Sequence, residues 1–583
     1  MKRDEVEEKY KWDLSLYIKD KKMLNQEFDW LKENYPKFKD YYGKFADKDV
    51  LLDYFKFSDE FEIKEDRLAS YLYHSLDEDT SNTKFLALTS KFSYLANDIN
   101  KTCAFITPQL MQLKEKYLQD LYNNPDFAVY KRTIESILRY KNHQVSEHDS
   151  QLISKMGLFL GGASESFGAL TTGEMQFEDV KAGENTYKVD EANYSKLLNN
   201  KNREVRKQAL HSLMSGYGGK VKTIATMYLN SVEESIFFAN LYNFKSVREE
   251  ALFGEEVSQE VYDRLIKQIN ANLPVLHSIM EARRKVLGLD KIAYYDAMLS
   301  FDTDKQYSIE DAIDLVKKAT LPLGEEYQKI VSEKFNQKCI DLLPNDNKET
   351  GAYSSGAYNC PSVILMNFVG DLKSVYTLAH EMGHTMHSEF SNRNQPFATS
   401  QYKIFVAEVA STVNEMLLYN FLIKDADEDL KKALVFDLFD EFRATVFRQT
   451  MFSEFEDYSH TSLENKTPIT YEDLCKYYYD LNKKYYGDKV ELPEELKYEW
   501  ARIPHFYRPF YVYKYATGFI SALCIVEKIL TEKDYYKKYI NFLKSGTSKP
   551  VVELLQDIDV DLTTDKPYDL AFKYLNEQLA KVK

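Results

Sequence analysis

Glycine and proline are scarce in this 583-residue chain, 20 and 14 in number, and they fall between stretches of helical periodicity. No Gly/Ser- or Pro-rich linker appears, so the expected lobes pack together instead of being strung like beads. Cysteine is equally sparse. Cys103, Cys339, Cys360, Cys475 and Cys524 are odd in number and far apart, which excludes a disulfide framework and a CxxC metal knuckle. No run approaches the ~18 uninterrupted apolar residues that a membrane span needs. The charged opening MKRDEVEEKYKWDLS lacks the apolar core of a secretory signal. Positive charge is in the minority: 76 Lys and Arg against 92 Asp and Glu leave −16, a surface that repels nucleic-acid phosphate. The expectation is a soluble cytoplasmic protein with no nucleic-acid or membrane partner.

What is plentiful is apolar and aromatic. Hydrophobic residues make up 44%, enough for a large core, and 45 Tyr and 35 Phe outnumber 3 Trp. Apolar residues recur at three- and four-residue steps through 51–76, 84–122, 191–215, 221–243, 258–287, 309–335, 404–424, 427–458, 471–485 and 509–530. No fixed-period repeat argues for a solenoid. The fold class expected is mostly α-helical. Two places break the pattern. GEMQFEDVKAGENTYKV at 173–189 reads as a β-hairpin, and it sets a domain boundary: an N-terminal helical lobe 1–190 and a second lobe 191–583, which holds the histidine cluster at 380–387. GAYSSGAYNCPSVILMNFV at 351–369 turns apolar after Pro361, which predicts a short edge strand.

That strand immediately precedes LAHEMGHTMHSEF, where His380, His384 and His387 fall within eight residues. On a helix the three imidazoles lie within about 60° of one another. Val375, Leu378, Ala379, Met382 and Met386 form an apolar stripe on the opposite side. The HExxH spacing puts two histidines on one face for zinc and leaves Glu381 beside them to act as a general base on a metal-activated water. Zinc needs a third protein ligand. His387 lies about 10.5 Å along the helix from His380, too far for both to converge on one ion without a bend. Glu408, in IFVAEVASTVNEML, is preferred, which leaves His387 as a neighbouring or substrate-contacting residue. Glu415 shares its face with Glu408, and the sequence leaves open whether it supports a ligand or is an ordinary surface carboxylate. Two His and one carboxylate leave a fourth position open, the pattern of a catalytic site.

HFYRPFYVYKYATG at 505–518 places His505, Tyr507, Tyr511, Tyr513 and Tyr515 in eleven residues. Some of these groups could donate hydrogen bonds to an oxyanion, and a tyrosine-rich core segment reads equally well.

HEMGHTMH at 380–387, FVAEVASTVNE at 405–415, FRQTMFSEFE at 447–456 and HFYRPFYVYKYATG resemble the oligoendopeptidase F branch of the thimet-oligopeptidase (M3) zinc peptidases. The resemblance implies two helical lobes enclosing a deep substrate channel with one catalytic Zn2+ per chain. It implies His380, His384 and Glu408 as metal ligands, Glu381 as general base, and His505, Tyr511 and Tyr515 as transition-state donors, with Tyr507 and Tyr513 nearby. The segment through Gly356, Ala357 and Tyr358 matches the strand and loop that hold substrate backbone. The function expected is endopeptidase cleavage of internal bonds in short peptides. A zinc metallocarboxypeptidase and a non-catalytic peptide-binding protein with a structural metal remain the alternatives.

Overall fold

The computed structural model describes residues 1–157, 160–301 and 305–582, and the periodic stretches fold as helices within it. Short polar side chains open many of them. Asp47 accepts from the Asp49 and Val50 backbone N–H groups at the start of Lys48–Asp77, and Asn82 caps Thr83–Cys103 in the same way. The fold is mostly α-helical with small β elements, as expected.

Several boundaries differ from the periodicity. The stretch 84–122 is three helices, Thr83–Cys103, Ile106–Gln112 and Glu115–Tyr122. Conversely, 203–241 is one helix, Arg203–Leu241, which runs through Gly216, Gly218 and Gly219 without a break. Gly216 and Gly218 make room for neighbours. A Cβ on Gly216 would lie 2.5 Å from the Phe177 ring, and one on Gly218 would lie 2.7 Å from the Tyr498 ring. Close packing here outweighs the poor helix propensity of glycine. Within 427–458, helices Glu428–Phe442 and Arg448–Glu464 meet at a π-helical turn, Arg443–Phe447.

The chain forms two compact units, each assembled from three segments: Met1–Gln144, Asp304–Lys424 and Ile525–Asp559 in the first, Val145–Thr303, Asp425–Cys524 and Val560–Lys583 in the second.

The first unit carries a three-stranded sheet. Val363–Leu365 pairs in parallel with Ile340–Asp341 and antiparallel with Tyr353–Ser355. The apolar run after Pro361 is thus the middle strand, not the edge one expected. Val363, Ile364 and Leu365 are all buried, which suits a strand flanked on both sides. Tyr353–Ser355, half-buried, takes an edge. Lys348 closes the loop leading to it. Its buried ammonium sits 2.7 Å from Asp341 Oδ1 and donates to the Met366 carbonyl at 2.6 Å, so the charge is paired as burial requires.

The second unit holds the hairpin, shorter than expected: Val180–Ala182 pairs antiparallel with Asn185–Tyr187 across Gly183, whose φ of +62° is the left-handed conformation glycine adopts freely. Its core accounts for part of the tyrosine excess. Tyr294 and Tyr478 donate to the buried Glu499 at 3.1 and 2.6 Å, Arg448 donates to it at 2.9 Å, and Tyr262 donates to the Ser453 carbonyl at 2.9 Å. Each ring is buried while its hydroxyl keeps a partner. Among the described residues, no helix is long and apolar enough to cross a membrane.

Candidate metal centre and the aromatic turn

The helix Leu372–Asn394 begins at Asp371, whose carboxylate accepts from the Ser374 backbone at 2.8 Å and the Ser374 hydroxyl at 2.6 Å. Val375, Leu378, Ala379, Met382 and Met386 are buried as the wheel predicts. The opposite face does not lie open, however. Glu381, Gly383, Thr385, His387 and Glu389 are buried too, leaving His380 and His384 only half-buried. Neighbouring elements enclose the helix on nearly every side, so the polar face is internal surface.

The decisive neighbour is the helix Ile404–Leu422, and Gly383 lets it approach. A Cβ at 383 would stand 2.5 Å from the Ala410 carbonyl oxygen and 2.6 Å from Ser411 Cα. This backbone contact brings Glu408 to the histidines. His380 Nε2 and His384 Nε2 are 3.2 Å apart, and Glu408 Oε2 lies 3.5 and 3.6 Å from them. Among the described residues, these three form the donor cluster able to hold a metal. Ligands at about 2.0–2.1 Å around a tetrahedral zinc sit roughly 3.3 Å from one another. The observed triangle matches that spacing, and its donor set of two imidazoles and one carboxylate suits zinc, so the residues fit the ion.

Surrounding groups fix the three donors. Glu415 Oε1 is 3.1 Å from His380 Nδ1, which turns Nε2 toward the cluster. Ser411 donates to Glu408 Oε2 at 3.0 Å. Asn414 donates to the Ala379 carbonyl at 3.1 Å and accepts from the buried Tyr327 hydroxyl at 2.8 Å, which braces the helix crossing. In the metal-free protein, burial opposes charge on His380, yet Glu415, Glu381 and Glu408 hold its pKa up at about 9. Burial, with His380 nearby, pushes His384 down to about 4. Burial also raises the Glu381 carboxyl to about 7, against a hydrogen bond from the Ser354 backbone.

Ser354 lies in the edge strand, and its hydroxyl is 2.8 Å from that of Thr385. The strand is therefore pinned to the histidine helix at two points. Gly356, Ala357 and Tyr358 lead from this strand toward Pro361. A Cβ on Gly356 would meet Ser362 Oγ at 2.8 Å, Ala357 is buried, and the Tyr358 hydroxyl donates to the Gln395 carbonyl at 2.9 Å. His387 stands apart from the donor triangle. Its ring stacks on Tyr402 at 3.7 Å with a 7° tilt, and burial drives its pKa down to about 3.

In the second unit, His505, Tyr511 and Tyr515 gather into one half-buried group. The His505 ring lies 6.3 Å from Tyr511 and 6.1 Å from Tyr515, and the two phenols meet edge to face at 5.5 Å. Burial, with Arg448 and Arg508 close by, lowers the His505 pKa. Arg508 sits 4.2 Å from the Tyr511 ring centre and Lys514 sits 5.0 Å from it. The other two tyrosines face elsewhere: Tyr513 is buried against Tyr262 at 5.4 Å, and Tyr507 stacks on Phe167 at 4.6 Å. Between these groups, Phe510 adopts φ +51°. A bulky residue in that left-handed region bears strain of about 1–3 kcal/mol.

The sequence model described as Peptidase family M3 matches residues 196–574, more than half of the chain. The chain belongs to peptidase family M3. As a member of that family it is a metallopeptidase. A further model, described as Oligopeptidase F, matches 109–177. Oligopeptidase PepF of Bacillus subtilis is 36% identical over 99% of this chain and 87% of its own length. Group B oligopeptidase PepB of Streptococcus agalactiae is 33% identical over 100% and 98%. The crystal structure of oligoendopeptidase-F from Enterococcus faecium superposes with a TM-score of 0.72 at 28% identity, covering 96% of this chain and 98% of that one. A crystallised chain from Chlamydophila abortus reaches 0.95 at 30% identity, covering 100% and 99%. The M3 match spans His380, His384, Glu408, His505, Tyr511 and Tyr515 alike.

Gly383, Ser354, Ser411, Asn414 and Tyr402 escaped the sequence reading of this M3 peptidase. Of these, only Gly383 carried a signal, as a glycine in the middle of a helix that must be there for a close approach.

Proposed function

We propose that this chain is a zinc-dependent endopeptidase that hydrolyses internal bonds of short oligopeptides. The observation that carries the reading is the triangle of His380, His384 and Glu408, sized for one zinc ion, with Glu381 buried on the same helix. Zinc held there would polarise the scissile carbonyl and make water more acidic. The remaining work falls to side chains. Glu381 takes the proton from the attacking water and passes it to the departing amine. His380 is kept with Nε2 toward the ion by Glu415, so its ring does not have to reorient during turnover.

Substrate backbone pairs with the edge strand Tyr353–Ser355 and runs past Gly356–Tyr358 by β-augmentation. Two ties from Ser354 to the histidine helix support this, because they hold the strand in register with Glu381. His505, Tyr511 and Tyr515 donate to the oxyanion. Their mutual ring contacts favour them over Tyr507 and Tyr513. A depressed pKa keeps His505 a neutral N–H donor at pH 7. Cytoplasmic action fits five free cysteines.

The test is mass spectrometry of a pool of short peptides blocked at both ends, digested with and without a chelator. Internal fragments that vanish with chelator and return with added zinc are expected. Release of single C-terminal residues from unblocked peptides alone would establish a carboxypeptidase instead, and intact peptides throughout would leave binding without catalysis.

A further inference from the structure

The strained turn at Phe510 raises the question of what holds it. Its backbone N–H donates to Glu456 Oε1 at 2.6 Å. Glu456 belongs to the helix Arg448–Glu464 and is 1% exposed. One turn further along the same helix, the His460 ring lies 4.9 Å from the Phe510 ring, and Tyr262 meets that ring at 5.8 Å on another side. His460 is itself fixed, with Nδ1 2.9 Å from the Glu456 carbonyl oxygen. Backbone and side chain of Phe510 are thus gripped from one helix, and the residue cannot relax to negative φ without giving up both contacts. Residues in such conformations persist only where their surroundings over-determine them.

Phe510 is the last residue before Tyr511, and Tyr515 follows one helical turn later in Tyr513–Thr531. The φ at 510 therefore sets the direction in which the backbone leaves toward both phenols. Returning it to the ordinary range would swing Tyr511 away from His505 and Tyr515. We propose that Glu456 is a positioning residue of this peptidase: its buried carboxyl clamps the left-handed turn at Phe510 and so sets the place of Tyr511 and Tyr515 at the reacting carbonyl. The proposal rests on the role given to those two tyrosines above. Among the described residues, the second oxygen of Glu456, Oε2, is buried without a hydrogen-bond partner. Burial raises its pKa well above the ordinary carboxyl value, against the hydrogen bond from the Phe510 backbone.

The experiment is a double-mutant cycle on the zinc-loaded full chain, reading kcat, KM, metal content and thermal midpoint. Glu456→Leu should lower kcat by about 10- to 100-fold with KM within twofold and zinc still at one per chain. Glu456→Gln keeps a carbonyl acceptor of the same reach for the Phe510 N–H and should restore kcat to within about threefold of the parent. In whichever of the Tyr511→Phe and Tyr515→Phe backgrounds is the more impaired, Glu456→Leu should cost less than threefold further, because the group it positions is already gone. Should Glu456→Leu not fold, Glu456→Asp retains the acid but falls short by one methylene, and the same cycle applies with a smaller first step. Losses that multiply fully in the tyrosine background, or a Gln variant as impaired as the Leu variant, overturn the positioning role while leaving the tyrosines in place. Unchanged kcat in both tyrosine variants overturns their role and this proposal together.

Discussion

At the metal centre, three donor atoms come from two regular helices, and the one demanding feature is a glycine where the backbones touch. At the aromatic turn, the three proposed donors come from a short helical turn, a single loop residue and the helix that follows, and their direction depends on a phenylalanine in a conformation phenylalanine avoids. The first is rigid because its parts are each in their preferred geometry. The second is rigid only because something else restrains it. A site of the first kind should tolerate change around it and fail sharply when a donor is removed. A site of the second kind should fail through residues that touch no substrate.

The sharpest break in that comparison is Glu381→Gln, which removes a base without disturbing either helix. Turnover should fall on the order of 10⁴-fold, the upper range for general-base catalysis, with zinc retained by elemental analysis. Activity near the parent level would refute the assignment. Next is the aromatic turn itself. Tyr511→Phe or Tyr515→Phe should cost about 10²- to 10³-fold in kcat at the true oxyanion donor, measured with an internally quenched peptide. Equal, small losses at both would show that the turn holds no preorganised donor. A milder effect is expected from Glu415→Gln, which weakens the hold on His380 Nδ1. Zinc affinity from competition with a chelator should drop by roughly 10- to 100-fold, and an unchanged affinity would make Glu415 a bystander.

The smallest effect tests the glycine. Gly383→Ala gains about 1 kcal/mol of helix propensity but drives a methyl to 2.5 Å from a backbone oxygen that cannot swing aside. A net loss of about 1–3 kcal/mol is expected, seen in the thermal midpoint. A gain in stability would show that the helix crossing does not depend on that contact.

The same contrast explains what the sequence discloses. His380 and His384 are legible because four residues make one helical turn, and Glu408 because a second helix with a carboxylate on its polar face follows within reach. Gly383 was visible, but only the crossing explains it. Ser354 could not be tied to Thr385 and Glu381 from the chain alone, since about thirty residues intervene and no pattern encodes which strand lies against which helix. The two-sided burial of Leu372–Asn394 misled the wheel, because an enclosed polar face and a solvated one have the same composition. Least legible was Phe510: left-handed turns are anticipated from glycine or asparagine, and a restraint supplied by Glu456, 54 residues earlier, leaves no local mark.

The division of the chain into interleaved segments bears on how the protein is made. The polypeptide passes between the two units five times, and the last passages come at residues 524–525 and 559–560. On the ribosome, the first unit cannot acquire its final segment until synthesis has passed residue 525, nor the second until it has passed 560. Both therefore wait, with hydrophobic surface uncovered, through nearly the whole time of translation, and nascent chains of this kind are exposed to aggregation in a way that sequentially arranged domains are not. The histidine helix, complete at Asn394, must wait for the segment 525–559 of its own unit. The interleaving predicts that yield depends on protection of the growing chain.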